Sequence, residues 1–249
     1  MFTPDQRAHV RSDLLKYATH DQRISGAAIT GSAAAGREDQ WSDIDLAFGL
    51  ADPADQQAVL SDWTSYMYEK HLALHHLDVL AGLWIYRVFL LPDALQVDLA
   101  FVPATEFRPL ASSFRLIFGT AHESRAFPPP TPGGMIGLGW LHALHARSCI
   151  ARMRLWQAEY MISGVRDHAL ALACIRHGLP AVHGRGNDRL PRELTAKFEA
   201  ALVRQMNVAE LSRAFRVAIE GFLAEVNAAD EKLGDRLQET LASLSESLS

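Results

Sequence analysis

The sequence predicts an α+β chain, with a mixed sheet and flanking helices in the first half and a helical bundle in the second. Three observations carry this. Apolar runs of strand length and period two fall between residues 24 and 102. A run of prolines and glycines, Pro128-Pro129-Pro130-Thr131-Pro132-Gly133-Gly134, then interrupts the chain, and neither a helix nor a strand interior is expected to continue through it. Beyond it the apolar spacing is almost wholly helical. The expected layout is a first domain over 1–126, a linker over 127–134 and a helical domain over 135–249, each domain long enough to bury a core.

Taken in order, Thr3-Pro4-Asp5-Gln6 combines a hydroxyl cap, proline at the first helical position and glutamine three residues past the cap, which predicts a helix running to about His20. Ile24 to Thr30 is a small-residue apolar run ending at Gly31-Ser32. Ile44, Leu46 and Phe48 alternate with Asp43, Asp45 and Ala47, which predicts a strand over Asp43 to Leu50. Asp52-Pro53 opens a helix through Trp63, Met67 and Leu72. Leu77–Ala81, Leu83–Leu91 and Leu95–Val102 read as strands, the last two forming a hairpin about Pro92-Asp93-Ala94. Ser112 to Phe118 reads as a short apolar helix. After the linker, helices are expected over Met135–Ser163, Arg166–His177, Pro191–Gln205, Val208–Ala229 and Asp230–Leu248, with a loop over His183–Arg189.

Lys and Arg number 24 against 29 Asp and Glu, a net charge of −5, so no global attraction to nucleic acid or to an anionic membrane is expected. Cys149 and Cys174 sit in helical stretches without disulfide or metal spacing and are expected as reduced core thiols. The charged N-terminus is not a signal peptide, and the most apolar stretch, Val79 to Leu91, is short and carries Arg87. A cytoplasmic location is expected.

The acids hold the chemistry. Asp43 and Asp45 are two residues apart on a strand and leave the same face. Two carboxylates so close repel unless a cation lies between them. Asp98, between Val97 and Leu99, is a third acid in the same kind of setting. Three acids on neighbouring strands suit metal-assisted phosphoryl transfer. Upstream, Gly31-Ser32 ends a strand before Ala33-Ala34-Ala35-Gly36. Glycine there allows close backbone approach, serine adds a donor, and a helix N-terminus offers free N–H groups, which together make a phosphate cradle. It is neither a Walker A loop nor a dinucleotide fingerprint.

Thr30-Gly31-Ser32, ten residues, Asp43-Ile44-Asp45-Leu46 and later Val97-Asp98-Leu99 resemble the signature of the nucleotidyltransferase superfamily, the polymerase β-like fold that includes the aminoglycoside and lincosamide nucleotidyltransferases. The resemblance covers about residues 24–103. It implies that Asp43 and Asp45 bind metal and triphosphate, that Asp98 completes the metal site and helps deprotonate the acceptor, and that Gly31 and Ser32 hold phosphate. It also implies Mg²⁺ or Mn²⁺ as cofactor, ATP or another nucleoside triphosphate as co-substrate, and a two-domain plan.

The expected activity is transfer of a nucleoside monophosphate, AMP from ATP, to a hydroxyl of a small-molecule acceptor such as an antibiotic, which would confer resistance. The alternatives are a protein-modifying transferase of antitoxin type, whose minimal members share the Gly-Ser spacing but are much shorter, and a non-catalytic nucleotide-sensing or partner-binding module. No concentrated basic tract calls for a nucleic-acid template; a homodimer is compatible with the sequence. In the helical half, Trp156-Gln157-x-Glu159-Tyr160 places Glu159 as an acid that either meets the acceptor as a second catalytic group or joins an Arg–carboxylate network within the bundle. His142 and His145 read as a polar helix face, and Trp41 either lines the nucleotide pocket or packs its own loop.

Overall fold

The computed structural model describes residues 1–110, 113–125 and 131–246. The chain divides into two compact units, Met1–Phe127 and Pro128–Ser249. The first unit carries α1 (Pro4–His20), β1 (Ile24–Thr30), α2 (Gly31–Ala34), β2 (Ile44–Leu50), α3 (Gln56–Lys70), β3 (His75–Ala81), β4 (Trp84–Leu90), β5 (Gln96–Pro103) and β6 (Phe114–Phe118). The second carries α4 (Pro132–Ala151), α5 (Leu155–Arg176), α6 (Arg192–Glu199), α7 (Val208–Ala229) and α8 (Glu231–Glu246). The protein is α+β.

The capping box at Thr3 and Gln6 is formed and starts α1 as its sequence dictates. The six strands lie in the order β3-β4-β5-β2-β1-β6. β2 and β5 run parallel, and the other pairs are antiparallel. One face of the sheet presents Ile29, Ile44, Leu46, Phe48, Val97, Leu99 and Phe101 to Leu14 of α1 and to Val59, Trp63 and Met67 of α3. The opposite face is thinner. There Ala28, Ala47, Ala100 and Val102 pack under Trp84 and Phe107. Phe107 lies so close to the backbone of β1 and β2 that a Cβ at Gly26 or Gly49 would press on its ring, at 2.9 and 3.0 Å. This lid covers only one end of the face, and the N-terminal ends of β2 and β5 are left half-buried.

Several expectations differ from the structure. Phe114–Phe118 is a strand, not a helix, and pairs antiparallel with β1; residues 111 and 112 lie outside the described residues. Four apolar residues around Arg115 have no resolvable period, and the free edge of β1 decides the outcome. The β2 strand starts at Ile44, with Asp43 immediately before it.

The expected helix over Met135–Ser163 is two helices, α4 and α5, broken at Arg152–Arg154, where Met153 takes φ 57°. The expected break near Gly164 is absent, because Gly164 is a packing position within α5 whose Cβ would meet the His142 ring at 2.7 Å. The helix from Pro191 stops at Glu199, since Arg213 of α7 takes the Ala200 and Leu202 carbonyls at 2.5 and 2.9 Å. Of the proline–glycine run, residues 128–130 lie outside the described residues, whereas Pro132, Gly133 and Gly134 form the first turn of α4. Proline at a helix start loses no hydrogen bond, and this is why the helix can begin there.

In the second unit α4, α5, α7 and α8 bury Ile150, Ile162, Phe215, Phe222 and Leu241 in one core. Arg176 of α5 clasps the buried Glu225 of α7 through two hydrogen bonds of 3.0 and 2.8 Å. Cys149 and Cys174 are free and buried. No helix among the described residues is long and apolar enough to cross a membrane.

Candidate active site

Parallel pairing of β2 with β5 sets Asp45 directly opposite Asp98. Partners in register leave the same face of a sheet, and Asp43, two residues before Asp45, shares that face. The outcome is a cluster in which one carboxylate oxygen from each of Asp43, Asp45 and Asp98 lies within 4.8 Å of the other two, all three residues half-buried. It lies on the thin face of the sheet, opposite the helices. The core residues between the acids, Ile44, Leu46, Val97 and Leu99, point the other way and hold the register.

Gly31 follows β1 and takes φ +61°, a conformation that side-chain-bearing residues adopt at a cost. A Cβ there would fall on the Asp45 carboxylate. The turn backbone is thereby pressed against the acid. The Ser32 hydroxyl, in the first turn of the four-residue α2, is buried with no hydrogen-bond partner among the described residues. An orphaned buried hydroxyl costs free energy unless a ligand satisfies it.

Burial pushes the Asp98 carboxyl above the usual aspartate range, the Gln96 amide at 2.8 Å opposes this, and the Asp43 charge adds to it. Gln96 stands two residues before Asp98 on the same face, a placement that strand alternation makes visible in the sequence. Arg7 is not visible in that way. Its guanidinium is buried on α1 and donates from Nη1 to the carbonyls of Asp39 and Ser42 at 2.6 and 2.9 Å. It also pairs with Glu38 at 3.1 Å, and Arg11 pairs with the same carboxylate. This anchors the segment that delivers Asp43. Within it, Asp39 accepts from the Trp41 amide at 2.8 Å and from the Ser42 hydroxyl at 3.1 Å, and these bonds hold its carboxyl below the usual range. Trp41 does not pack the loop; it is 67% exposed.

Three hard oxygen ligands suit Mg²⁺ or Mn²⁺ in preference to a soft metal, and the unsatisfied Ser32 hydroxyl and the tight Gly31 turn suit the phosphates such an ion would accompany. The residues fit the group. Among the described residues these acids are the one cluster of that kind, and His142 instead packs its ring against His168 at 5.1 Å. Glu159 lies in the second unit on α5, half-buried, and accepts a hydrogen bond from the Ser163 hydroxyl at 2.7 Å.

No protein-family model matches the chain, and no curated protein sequence does. Among solved structures it is similar to an aminoglycoside 6-adenyltransferase from Bacillus subtilis, with 13% identity and a TM-score of 0.41, covering 98% of this chain and 99% of that one. A likeness that loose carries no weight for activity, and the site stands on its own geometry.

Proposed function

We propose that this chain is a metal-dependent nucleotidyltransferase that moves a nucleoside monophosphate, AMP from ATP, to a hydroxyl of a small molecule such as an antibiotic. The observation that carries the reading is the meeting of Asp43, Asp45 and Asp98 beside the Gly31-Ser32 turn. A binding-only module would have little physical need for three converging acids.

In this reading the three acids would hold the ion and Ser32 would donate its hydroxyl to a phosphate oxygen. The ion supplies neutralisation of the triphosphate and of the charge that develops on the entering and leaving oxygens. The acceptor oxygen bonds to the α-phosphorus, the bond to the β-phosphate breaks, and pyrophosphate leaves. The acceptor's proton passes to a carboxylate. Asp98 is the nearest fit, because it stands at the edge of the cluster next to β4, on the side away from the Gly31-Ser32 turn. Glu159 of α5 is proposed as a second group for that role.

Calorimetry with ATP in EDTA and in excess Mg²⁺ tests the reading. Binding should require the cation and should be lost in Asp43→Asn and Asp45→Asn, with the fold intact. Equal affinity in EDTA and Mg²⁺ would sink it. Mass spectrometry of hydroxyl-bearing compounds incubated with ATP and Mg²⁺ should then reveal the added nucleotide.

A further inference from the structure

The cluster sits within one cross-strand row. Asp45 of β2 faces Asp98 of β5, Asp98 faces Val88 of β4, and Val88 faces Leu77 of β3. The next row on the same face is Ala47, Ala100, Tyr86 and Val79. The Gly31-Ser32 turn lies at the end of β1, on the far side of β2. Along the sheet the order is therefore phosphate turn, acid, acid, apolar hairpin.

In-line displacement at phosphorus places the entering oxygen opposite the leaving one. With the phosphates over β1 and β2, the acceptor hydroxyl must arrive from the β4–β3 side. Adjacent strands are about 4.8 Å apart, so Leu77 stands about 10 Å from Asp98, within reach of one small molecule that also touches the metal site.

That hairpin face is mainly apolar, with His75 at one end of it. Leu77 is 51% exposed and Val79 48%, an unusual density of open apolar surface on an edge strand, and Tyr86 and Val88 beside them are half-buried. The charged residues of the two strands, Asp78 and Arg87, are on the other face. There they bond to each other through two contacts of 2.7 Å, and Arg87 continues to Thr64 of α3. No carboxylate of β3 or β4 is left on the acceptor side to receive an ammonium group.

We propose that this face is the acceptor platform, and that the acceptor is a small, neutral, hydroxyl-bearing compound with an apolar body, not a polycation such as an aminoglycoside. The proposal rests on the nucleotidyltransferase reading. The acceptor's apolar body lies over Leu77, Val79 and Val88, which releases water from them, while its hydroxyl reaches the α-phosphorus next to Asp98. A polyamine lying over the hairpin would have to strip its own hydration without a carboxylate of β3 or β4 to receive it.

The test uses the full chain loaded with Mn²⁺ and an ATP analogue whose α,β-bridge is methylene, so that no transfer occurs. Two sets of fragments are screened by Mn²⁺-induced broadening of their proton signals. One set is of neutral alcohols with an aromatic or aliphatic body; the other carries two or more amines on matched bodies. Neutral alcohols should broaden and polyamines should not. Leu77→Glu and Val79→Glu, both at exposed positions, should weaken the neutral ligands about tenfold or more with Mn²⁺-nucleotide affinity unchanged.

Broadening confined to the polyamines, no ligand in either set, or binding indifferent to both substitutions would each overturn the platform. So would sedimentation showing that Leu77→Glu splits a dimer while fragment binding is unaltered, since β3 would then belong to a second copy. A wild-type chain that fails to bind the Mn²⁺-nucleotide, or an Asp45→Asn chain that binds it equally well, overturns the enzyme reading beneath, and that titration precedes the fragment screen.

Discussion

Replacing Gly31 with alanine should disable the proposed metal site at a modest cost to the fold, and Gly36 supplies the control. Both glycines have positive φ, +61° and +65°. Alanine in that region costs about 1–2 kcal/mol of backbone strain, which for a chain of this size lowers the melting temperature by about 3–6 °C. The surroundings differ. Nothing lies within 4 Å of a Cβ at Gly36, whereas one at Gly31 would sit 2.7 Å from the Asp45 carboxyl carbon and nearer still to its oxygen. Carbon atoms rest at about 3.5 Å or more, so the carboxyl must retreat by about 0.8 Å at least. Mg²⁺ and Mn²⁺ ligand shells do not stretch that far. Gly31→Ala should therefore lose at least about tenfold in Mn²⁺ affinity, a change of about 1.4 kcal/mol, with Gly36→Ala unchanged. Mn²⁺ titration followed by electron paramagnetic resonance reads the affinity, and a thermal melt reads the strain. Equal Mn²⁺ affinity in the two variants would refute the idea that the turn and Asp45 form one site.

Ser32→Ala removes a buried hydroxyl without a partner, so the metal-free protein should melt at the same temperature or higher, while Mg²⁺-ATP affinity falls severalfold by calorimetry. For Asp98 the sign follows from a carboxyl whose pKa is raised on folding. The native state binds the proton more tightly, so its contribution to stability is lost as pH climbs from the ordinary aspartate value through the raised one. Urea melts in EDTA from about pH 4 to pH 7 should show the wild type losing ground to Asp98→Asn over that window, and a constant gap would count against the shift. Arg7→Ala leaves the Asp39 and Ser42 carbonyls without their charged donor and should cost about 2–3 kcal/mol in urea denaturation, Arg7→Lys recovering part of it.

What the sequence discloses of the site is what strand alternation discloses. Asp43, Asp45 and Asp98 are legible because each lies next to residues that must face a core, and a strand leaves an acid in that place only one direction to point. The Gly31-Ser32 turn is legible because a glycine closing an apolar run marks a sharp change of backbone. Arg7 is not legible, since its partners are main-chain carbonyls 32 and 35 residues away, which no side-chain pattern encodes. The helix break fails for a related reason. Met153 adopts a positive φ because of the helices it joins, while Gly164, the residue that looks like a breaker, is kept for a ring packed against it. The β6 strand depends on an edge offered by β1, which a five-residue run cannot announce.

The parallel register of β2 against β5 also orders events in time. Residues 45 and 98 become neighbours only after the chain between them has gone out through α3 and returned through the β3–β4 hairpin. A nascent chain that ends before Gln96 holds two of the three acids and lacks the strand on which the third is carried. A one-residue slip of β5 would turn Asp98 to the helix face and bring a core residue out in its place. A divalent ion that binds the three acids together therefore favours the completed sheet over every unfinished or slipped one, by about 2.7 kcal/mol at a hundredfold excess over its dissociation constant. An ion held as proposed by the three acids would thus also act as a late proofreader of strand order.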